Sequence, residues 1–376
     1  MLPQPAPGFL FSRSRTSVGR LRVVEGSRCD AGRGPSTVYW KVRMKQRPLG
    51  KSGIQASVIG LGTWVTGGGS WWGGEVDDSE SIRAIHAAID AGVNLIDTAP
   101  VYGFGRSETV VGKAIRGRRD KVLLATKCGM IWDDSRGAFF FELDGKKIHR
   151  CLRPETIAIE IEASLRRLGT DRIDLYQTHW PSMEPDKTPI SETMACLMKL
   201  KDQGKIRAIG VSNVTLAELE ENVRHGEVAS DQFRYSLIYR HPEKDILPYC
   251  KEHGIATLTY MSLEQGLLTG KVGMDRKFAA SEFRANDAWN PWFKPENRPK
   301  VLRMLETWRD LAETYHVTLA QLVIACTAAQ PGVTHVLCGA RTAQQAVENA
   351  AAGRIELHPR DAKRMADDAA ALGEPA

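Results

Sequence analysis

An aspartate and a tyrosine five residues apart, Asp97 and Tyr102, follow an apolar run in the segment Asn94-Leu-Ile-Asp-Thr-Ala-Pro-Val-Tyr-Gly-Phe-Gly-Arg-Ser-Glu108. Two later apolar runs end in residues of complementary chemistry. Lys127 closes Val122-Leu-Leu-Ala-Thr, and His179 closes Ile173-Asp-Leu-Tyr-Gln-Thr. A hydride arriving at a carbonyl carbon builds negative charge on the oxygen, so such a site needs a proton donor there and positive or dipolar groups around it. A tyrosine, with an ordinary pKa of about 10, is protonated at neutral pH, and a neighbouring ammonium is expected to lower that value and ease proton release. Lys127 could supply that charge. A buried lysine loses its proton unless an anion holds it, which gives Asp97 a role as its partner. His179 would donate to the substrate oxygen and help orient it. Singly, each residue has an ordinary alternative: a turn aspartate, a packed loop tyrosine, a solvated lysine or histidine.

These residues need strands to carry them. Short apolar runs alternate with amphipathic helical stretches along the chain, the pattern of parallel strands joined by crossover helices. Eight strands are expected near Val58–Gly60, Asn94–Asp97, Val122–Lys127, Ile173–His179, Ile206–Ser212, Ser230–Phe233, Ile255–Tyr260 and Val333–Cys338. Ile82, Ile85 and Ile89 share one face of a helix that ends at Gly92. Pro154 suits a first turn, and Ile157, Ile161, Leu165 and Leu168 repeat at helical spacing before Gly169. The fold class is therefore α/β, a single (β/α)8 TIM barrel over residues 44–376, which lies within the size range of such barrels. Asp97, Tyr102, Lys127 and His179 fall at or just beyond the carboxyl ends of strands 2, 3 and 4, where these barrels place active sites. Residues 261–300 read as a long loop bearing Trp and Pro, the kind that often serves as a lid, and Pro359–Leu372 as a terminal helix.

The runs LIDTAPVYGFGRSE, LATKCG and LYQTHWP together resemble the aldo-keto reductase superfamily, whose catalytic tetrad matches Asp97, Tyr102, Lys127 and His179. The likeness begins at Met44-Lys-Gln-Arg-Pro-Leu-Gly-Lys-Ser-Gly and passes through GKIRAIGVSN. It reaches Gly339-Ala-Arg-Thr-Ala-Gln-Gln-Ala-Val-Glu-Asn349, nearly the whole of residues 44–376. The resemblance implies a nicotinamide cofactor. Ser212, Asn213 and Gln232 match positions that hold the carboxamide, and Tyr260 matches the aromatic that stacks on the ring. Leu263, Gly266 and Leu268 match the loop near the pyrophosphate, with Gln345 and Asn349 at the adenosine end. Gly60-Leu-Gly-Thr-Trp-Val65 lacks the third glycine of a dinucleotide fingerprint, and Gly50-Lys-Ser52 lacks the first glycine of a P-loop. Barrels instead seat phosphates after strands 7 and 8 at a helix N-terminus, a place that Gly339-Ala340-Arg341 fits. Arg341 could read a 2'-phosphate through a forked, charge-assisted contact, favouring NADPH with NADH still possible. Tyr260-Met-Ser-Leu departs from the family's usual Tyr-Ser-Pro-Leu.

Trp64, Trp71, Trp72, Trp132, Trp180 and Trp289 are candidates for the walls of a substrate pocket, with Trp292 and Phe293 as further wall or lid residues. The GTW…WWGG start, the TKCG run and SLEQGLLTGK most resemble bacterial reductases of the methylglyoxal-reducing type and the myo-inositol and general-stress branch. The expected function is NAD(P)H-dependent reduction of a small carbonyl substrate with Tyr102 as general acid. A sugar or polyol dehydrogenase working in the oxidative direction, or a cofactor-sensing subunit like the channel-associated beta subunits of this fold, are the alternatives.

Residues 1–43 carry eight Lys or Arg against two Asp or Glu, which accounts for the whole formal charge of +6. The rest is neutral, so no nucleic-acid surface is expected on the barrel. This basic segment is expected to be disordered, as a targeting peptide, a regulatory arm or, the favoured reading, sequence translated ahead of a true start at Met44, where the family likeness begins. No apolar run is long enough for a membrane span. The seven cysteines form no CxxC pair, which fits free thiols in a cytoplasmic enzyme. Cys128, beside Lys127, reads as a small buried filler. Nothing in the sequence bears on oligomeric state.

Overall fold

The computed structural model describes residues 43–376 apart from Gly73, so the expectations for residues 1–42 lie outside the described residues. Eight parallel strands close into a barrel in sequence order. They are β1 (Ile59–Gly62), β2 (Leu95–Asp97), β3 (Leu123–Cys128), β4 (Ile173–Thr178), β5 (Ile206–Ser212), β6 (Ser230–Arg234), β7 (Ala256–Tyr260) and β8 (His335–Gly339). Every strand of the barrel falls on one of the apolar runs picked out above. Strands buried on both faces read as continuous apolar stretches, and β4 is buried at all its positions.

The crossover helices cover the outside. Helix α1 (Asp78–Asp90) begins where the Asp77 side chain accepts the Ser79 amide at 2.7 Å, and it buries Ile85 and Ile89 while Ile82 packs at the margin. Helix α2 (Arg106–Ile115) follows the Tyr102 turn, and α3 (Pro154–Leu168) buries Ile157, Ile161, Leu165 and Leu168. Gly169 ends α3 at a φ of 64°, a left-handed conformation that favours glycine. Helices α4 (Ile190–Asp202), α5 (Leu216–His225) and α6 (Ile246–His253) continue the ring. A hairpin of Gln46–Pro48 and Gln55–Ser57 sends Leu49 and Ile54 into the cluster formed by Leu95, Ala125, Leu175 and Leu337. Its turn lies against Ala229, just ahead of β6, so it sits at the amino-terminal end of the barrel.

Two parts were not evident from the sequence. Between β3 and α3 stands a three-stranded antiparallel sheet of Met130–Ile131, Ala138–Leu143 and Lys146–Arg150. Its tight turn holds Asp144 and Gly145 at φ 49° and 75°, the Asp-Gly signature of a hairpin turn. Between β7 and β8 the chain adds α7 (Arg298–Glu306) and α8 (Arg309–Thr314) before α9 (Leu319–Ala329). After β8 come α10 (Ala343–Ala351) and α11 (Pro359–Ala370).

The long segment 261–300 is not a free lid. Trp292 and Phe293 are 3 % exposed and pack with Val301, Trp308 and Val323, and the Trp292 indole donates to the Ile238 carbonyl at 3.1 Å. They are core residues, which corrects their assignment to the pocket wall. Among the described residues no helix is long and apolar enough to cross a membrane, and the six described cysteines are free thiols.

Candidate active site

The carboxyl ends of β2, β3 and β4 bring four side chains together. Lys127, with no exposed side-chain surface, places its ammonium 2.7 Å from Asp97 Oδ2, 2.9 Å from the Thr98 carbonyl and 3.3 Å from the Tyr102 hydroxyl. Asp97 Oδ1 accepts two amides, from Gln177 at 3.1 Å and from Gln232 at 2.8 Å. The carboxylate is thus held on both oxygens. The Tyr102 and His179 rings meet edge to face with centroids 5.7 Å apart.

Tyr102 is positioned by backbone contact. A Cβ on Gly67, in the loop after β1, would lie 2.6 Å from the Tyr102 carbonyl carbon, and one on Gly103 would lie 2.2 Å from the Gly67 oxygen. Gly103 also has a φ of 63°. Glycine at both places lets the two loops touch main chain to main chain. Thr63 fixes the end of β2 from the same side, donating its hydroxyl to the Asp97 carbonyl at 3.0 Å.

Electrostatics depart from expectation in one respect. Burial raises the Tyr102 pKa well above its ordinary value and the charge of Asp97 raises it further, so the ammonium at 3.3 Å does not win. Burial lowers the Lys127 pKa, opposed by its pairing with Asp97 and by the charge of Glu108. His179 is pushed well below the ordinary histidine value by burial and by the positive charges of Lys127 and Arg150. It is a neutral imidazole at neutral pH, able to donate from one nitrogen.

Aromatic rings surround this centre. Trp64 contacts Phe283 at 5.1 Å, Phe283 contacts Trp289 at 5.9 Å, and Trp289 contacts Trp180 at 6.3 Å. Trp180 contacts Phe140 at 5.6 Å, Phe140 contacts Phe141 at 4.9 Å, Phe141 contacts Trp71 at 5.1 Å, and Trp71 returns to Trp64 at 5.9 Å. The ring contacts form a closed collar, joined to Tyr102 through Trp64 at 6.3 Å. Trp132 stands outside it, against Phe104 at 5.5 Å. Phe140, Phe141 and Phe283 were not foreseen; the Asp-Gly turn was the signal that a hairpin would bring the first two.

The residues matched to cofactor positions fall on β5 to β8 or in the segments that follow them, with Gln232 inside β6 and its amide already on Asp97. Asn213, at φ 59°, donates to the His179 carbonyl at 3.0 Å and accepts the Tyr260 hydroxyl at 2.7 Å, while the Ser212 hydroxyl donates to the Gln232 carbonyl at 2.7 Å. The loop after β7, which lacks the usual proline, runs through left-handed residues at Met261, Glu264, Gln265 and Gly266. Buried Arg234 pins it, pairing with Glu264 at 2.7 Å and donating to the Trp289 carbonyl at 2.6 Å. Leu263 packs at the edge of the core, and Leu268 is wholly buried, so only its main chain can face a ligand. Gly339 opens the turn into α10; Asn349 donates to its carbonyl at 3.0 Å, and Gln345 accepts the Arg341 amide at 2.8 Å. The Arg341 guanidinium lies over the Trp72 ring at 5.6 Å and donates to the Trp72 carbonyl at 3.0 Å. Burial and the charges of Arg284 and Arg276 lower its pKa, with Glu282 opposing.

A family model described as the aldo/keto reductase family matches residues 58–368. The chain belongs to that family. It is 43 % identical over 330 residues to an NADH-specific methylglyoxal reductase of Escherichia coli, covering 88 % of this chain and 99 % of the relative. It is 41 % identical over 301 residues to the aldo-keto reductase YhdN of Bacillus subtilis, covering 79 % of this chain and 85 % of that protein. Among solved structures, a glycerol dehydrogenase of Gluconobacter oxydans superposes with a TM-score of 0.77 at 38 % identity, over 88 % of this chain and 96 % of that one. The barrel is thus that of an oxidoreductase family that works with nicotinamide cofactors.

Proposed function

We propose that the protein reduces small aldehydes or ketones to alcohols, with Tyr102 as the proton donor. The observation that carries this reading is the buried chain of contacts from Asp97 through Lys127 to the Tyr102 hydroxyl, ending beside a neutral His179. When bound, the nicotinamide ring supplies the hydride. The chain's own residues do the rest. His179 donates to the carbonyl oxygen and orients it, and Tyr102 gives its proton as charge develops there. Its raised pKa keeps the phenol protonated until that moment. Lys127 then lies 3.3 Å from the oxygen that has lost the proton and stabilises it, while Asp97 holds Lys127 in place. The aromatic collar limits water around the reacting atoms and accepts a range of small carbonyl compounds.

The donor set suits a dinucleotide. Asn213 and Ser212 would hold the carboxamide, Tyr260 would stack on the ring, and the loop carrying Leu263, Gly266 and Leu268 would face the pyrophosphate. Arg341, with Arg276 and Arg284 close enough to act on its charge, would receive a 2'-phosphate at the N-terminus of α10. That supports NADPH. A second reading, NADH, is favoured by the name of the Escherichia coli relative and by the hold of the Trp72 carbonyl on Arg341. Glycerol oxidation by the Gluconobacter relative favours the same chemistry run toward the carbonyl.

The test is loss of nicotinamide absorbance with methylglyoxal and aromatic aldehydes, with NADPH and NADH side by side. Tyr102→Phe should keep cofactor affinity and lose about 10²- to 10⁴-fold in rate. A variant as active as the parent would remove the mechanism.

A further inference from the structure

Arg150 ends the second strand of the hairpin, and the steps above give it no role. Its guanidinium carbon lies 3.6 Å from the centroid of the Phe140 ring and 4.6 Å from that of Trp180, the residue that follows His179. A guanidinium between two ring faces is held by cation–π attraction and stacking, so its orientation is set before a ligand arrives. Among the described residues no carboxylate forms an ion pair with it, and its Nε–H is buried with no hydrogen-bond partner. Glu218 acts on its charge only at a distance and is already taken by the capping box of α5, accepting the Thr215 amide at 2.8 Å. Buried or half-buried charges are ordinarily paired, because desolvation without a partner is costly. Here burial brings the guanidinium down to about 10, still charged at neutral pH, and its field reaches His179.

The position separates it from the cofactor. Phe140 and Trp180 belong to the collar around Tyr102 and His179, whereas the residues matched to the dinucleotide fall on β5 to β8 or in the segments that follow them. We propose that Arg150 is the specificity-determining residue of the substrate pocket, and that the preferred substrates carry an anionic oxygen group, carboxylate or phosphate, remote from the reacting carbonyl. The forked N–H groups suit either anion. This rests on the carbonyl-reductase reading of the same site.

The experiment compares 4-carboxybenzaldehyde with its neutral isostere 4-carbamoylbenzaldehyde, and glyceraldehyde 3-phosphate with glyceraldehyde. The expected kcat/KM preference for the anion is about ten- to hundredfold, carried mainly by KM. The pair that shows it separates carboxylate from phosphate. Arg150→Met, which keeps an aliphatic stem between the rings, should bring that ratio close to one, and Arg150→Lys should keep part of it. A parent ratio near one, or the same ratio in Arg150→Met, overturns the proposal. A turnover-free arm measures quenching of indole fluorescence by 4-carbamoylbenzoate against terephthalamide. Tighter binding of the anion that is lost in Arg150→Met supports the Arg150 site even if no aldehyde is reduced. Reduction of both aldehydes without anion preference leaves the reductase reading standing and ends this one.

Discussion

Replacing Lys127 by Met removes the cation that, among the described residues, pairs with Asp97, and leaves two groups short of a partner. Asp97 Oδ2 loses a donor at 2.7 Å, the Thr98 carbonyl loses one at 2.9 Å, and the carboxylate keeps only the Gln177 and Gln232 amides on Oδ1. Asp97 is 3 % exposed and Lys127 fully buried, so water cannot substitute. Breaking a buried pair from one side costs about 3–5 kcal/mol, a large share of a typical folding free energy of about 5–15 kcal/mol. Adding Asp97→Asn removes the stranded charge while keeping an acceptor for the two glutamine amides. The double variant should therefore recover about 2 kcal/mol over Lys127→Met, the size expected of coupled neighbours. Both should be inactive as reductases. Urea unfolding of the parent, both single variants and the double variant measures the cycle. A Lys127→Met variant within about 1 kcal/mol of the parent would refute the reasoning, as would a double variant whose loss equals the sum of the two singles.

Arg341→Thr should raise the KM for NADPH about tenfold more than that for NADH, the scale of one charge-assisted contact at an exposed site; steady-state kinetics with both cofactors measures it, and an unchanged ratio would return Arg341 to a structural contact with Trp72. Glu160, whose two oxygens accept the Gly129 amide at 3.1 and 3.0 Å, is pushed up to about 8 by burial. A carboxyl with a raised folded pKa gives its full stability below its unfolded value of about 4.3 and loses it as pH rises toward the folded one. Glu160→Gln lacks that loss, so its stability relative to the parent should grow between pH 5 and 8 and then level off. Denaturation of both proteins across that range reads the difference directly, and a constant difference would mean the carboxyl is ionised throughout.

The strands were legible because buried parallel strands write themselves as apolar runs. Asn94–Asp97 was expected for a strand that spans Leu95–Asp97, and the polar residue closing each run was the visible mark of the barrel mouth. The hairpin was harder to see. Phe139 and Phe141 straddle a shift of register, which breaks the two-residue alternation, and only the Asp144-Gly145 turn announced it. Trp289 and Trp292 look alike in sequence. Val301 and Trp308, which bury the second and not the first, come from α7 and the turn after it, which no local pattern ties to that loop. The rise of the Tyr102 pKa was misjudged for a related reason: the sequence names the charges at hand, but the balance between burial and charge is a property of packing.

The antiparallel sheet of residues 130–150 shares no ladder with the barrel, yet it supplies Phe140, Phe141 and Arg150 to the collar. Its Met130 and Ile148 pack with Ala99 and Val101 beside Tyr102, so side chains and not a shared ladder join it to the catalytic turn. Selection, or a library built on the Phe140 and Phe141 positions, can therefore redraw the outer wall of the pocket on a scaffold whose strands stay as they are, provided Arg150, whose charge acts on His179, and the Met130 and Ile148 that back the Tyr102 turn are kept.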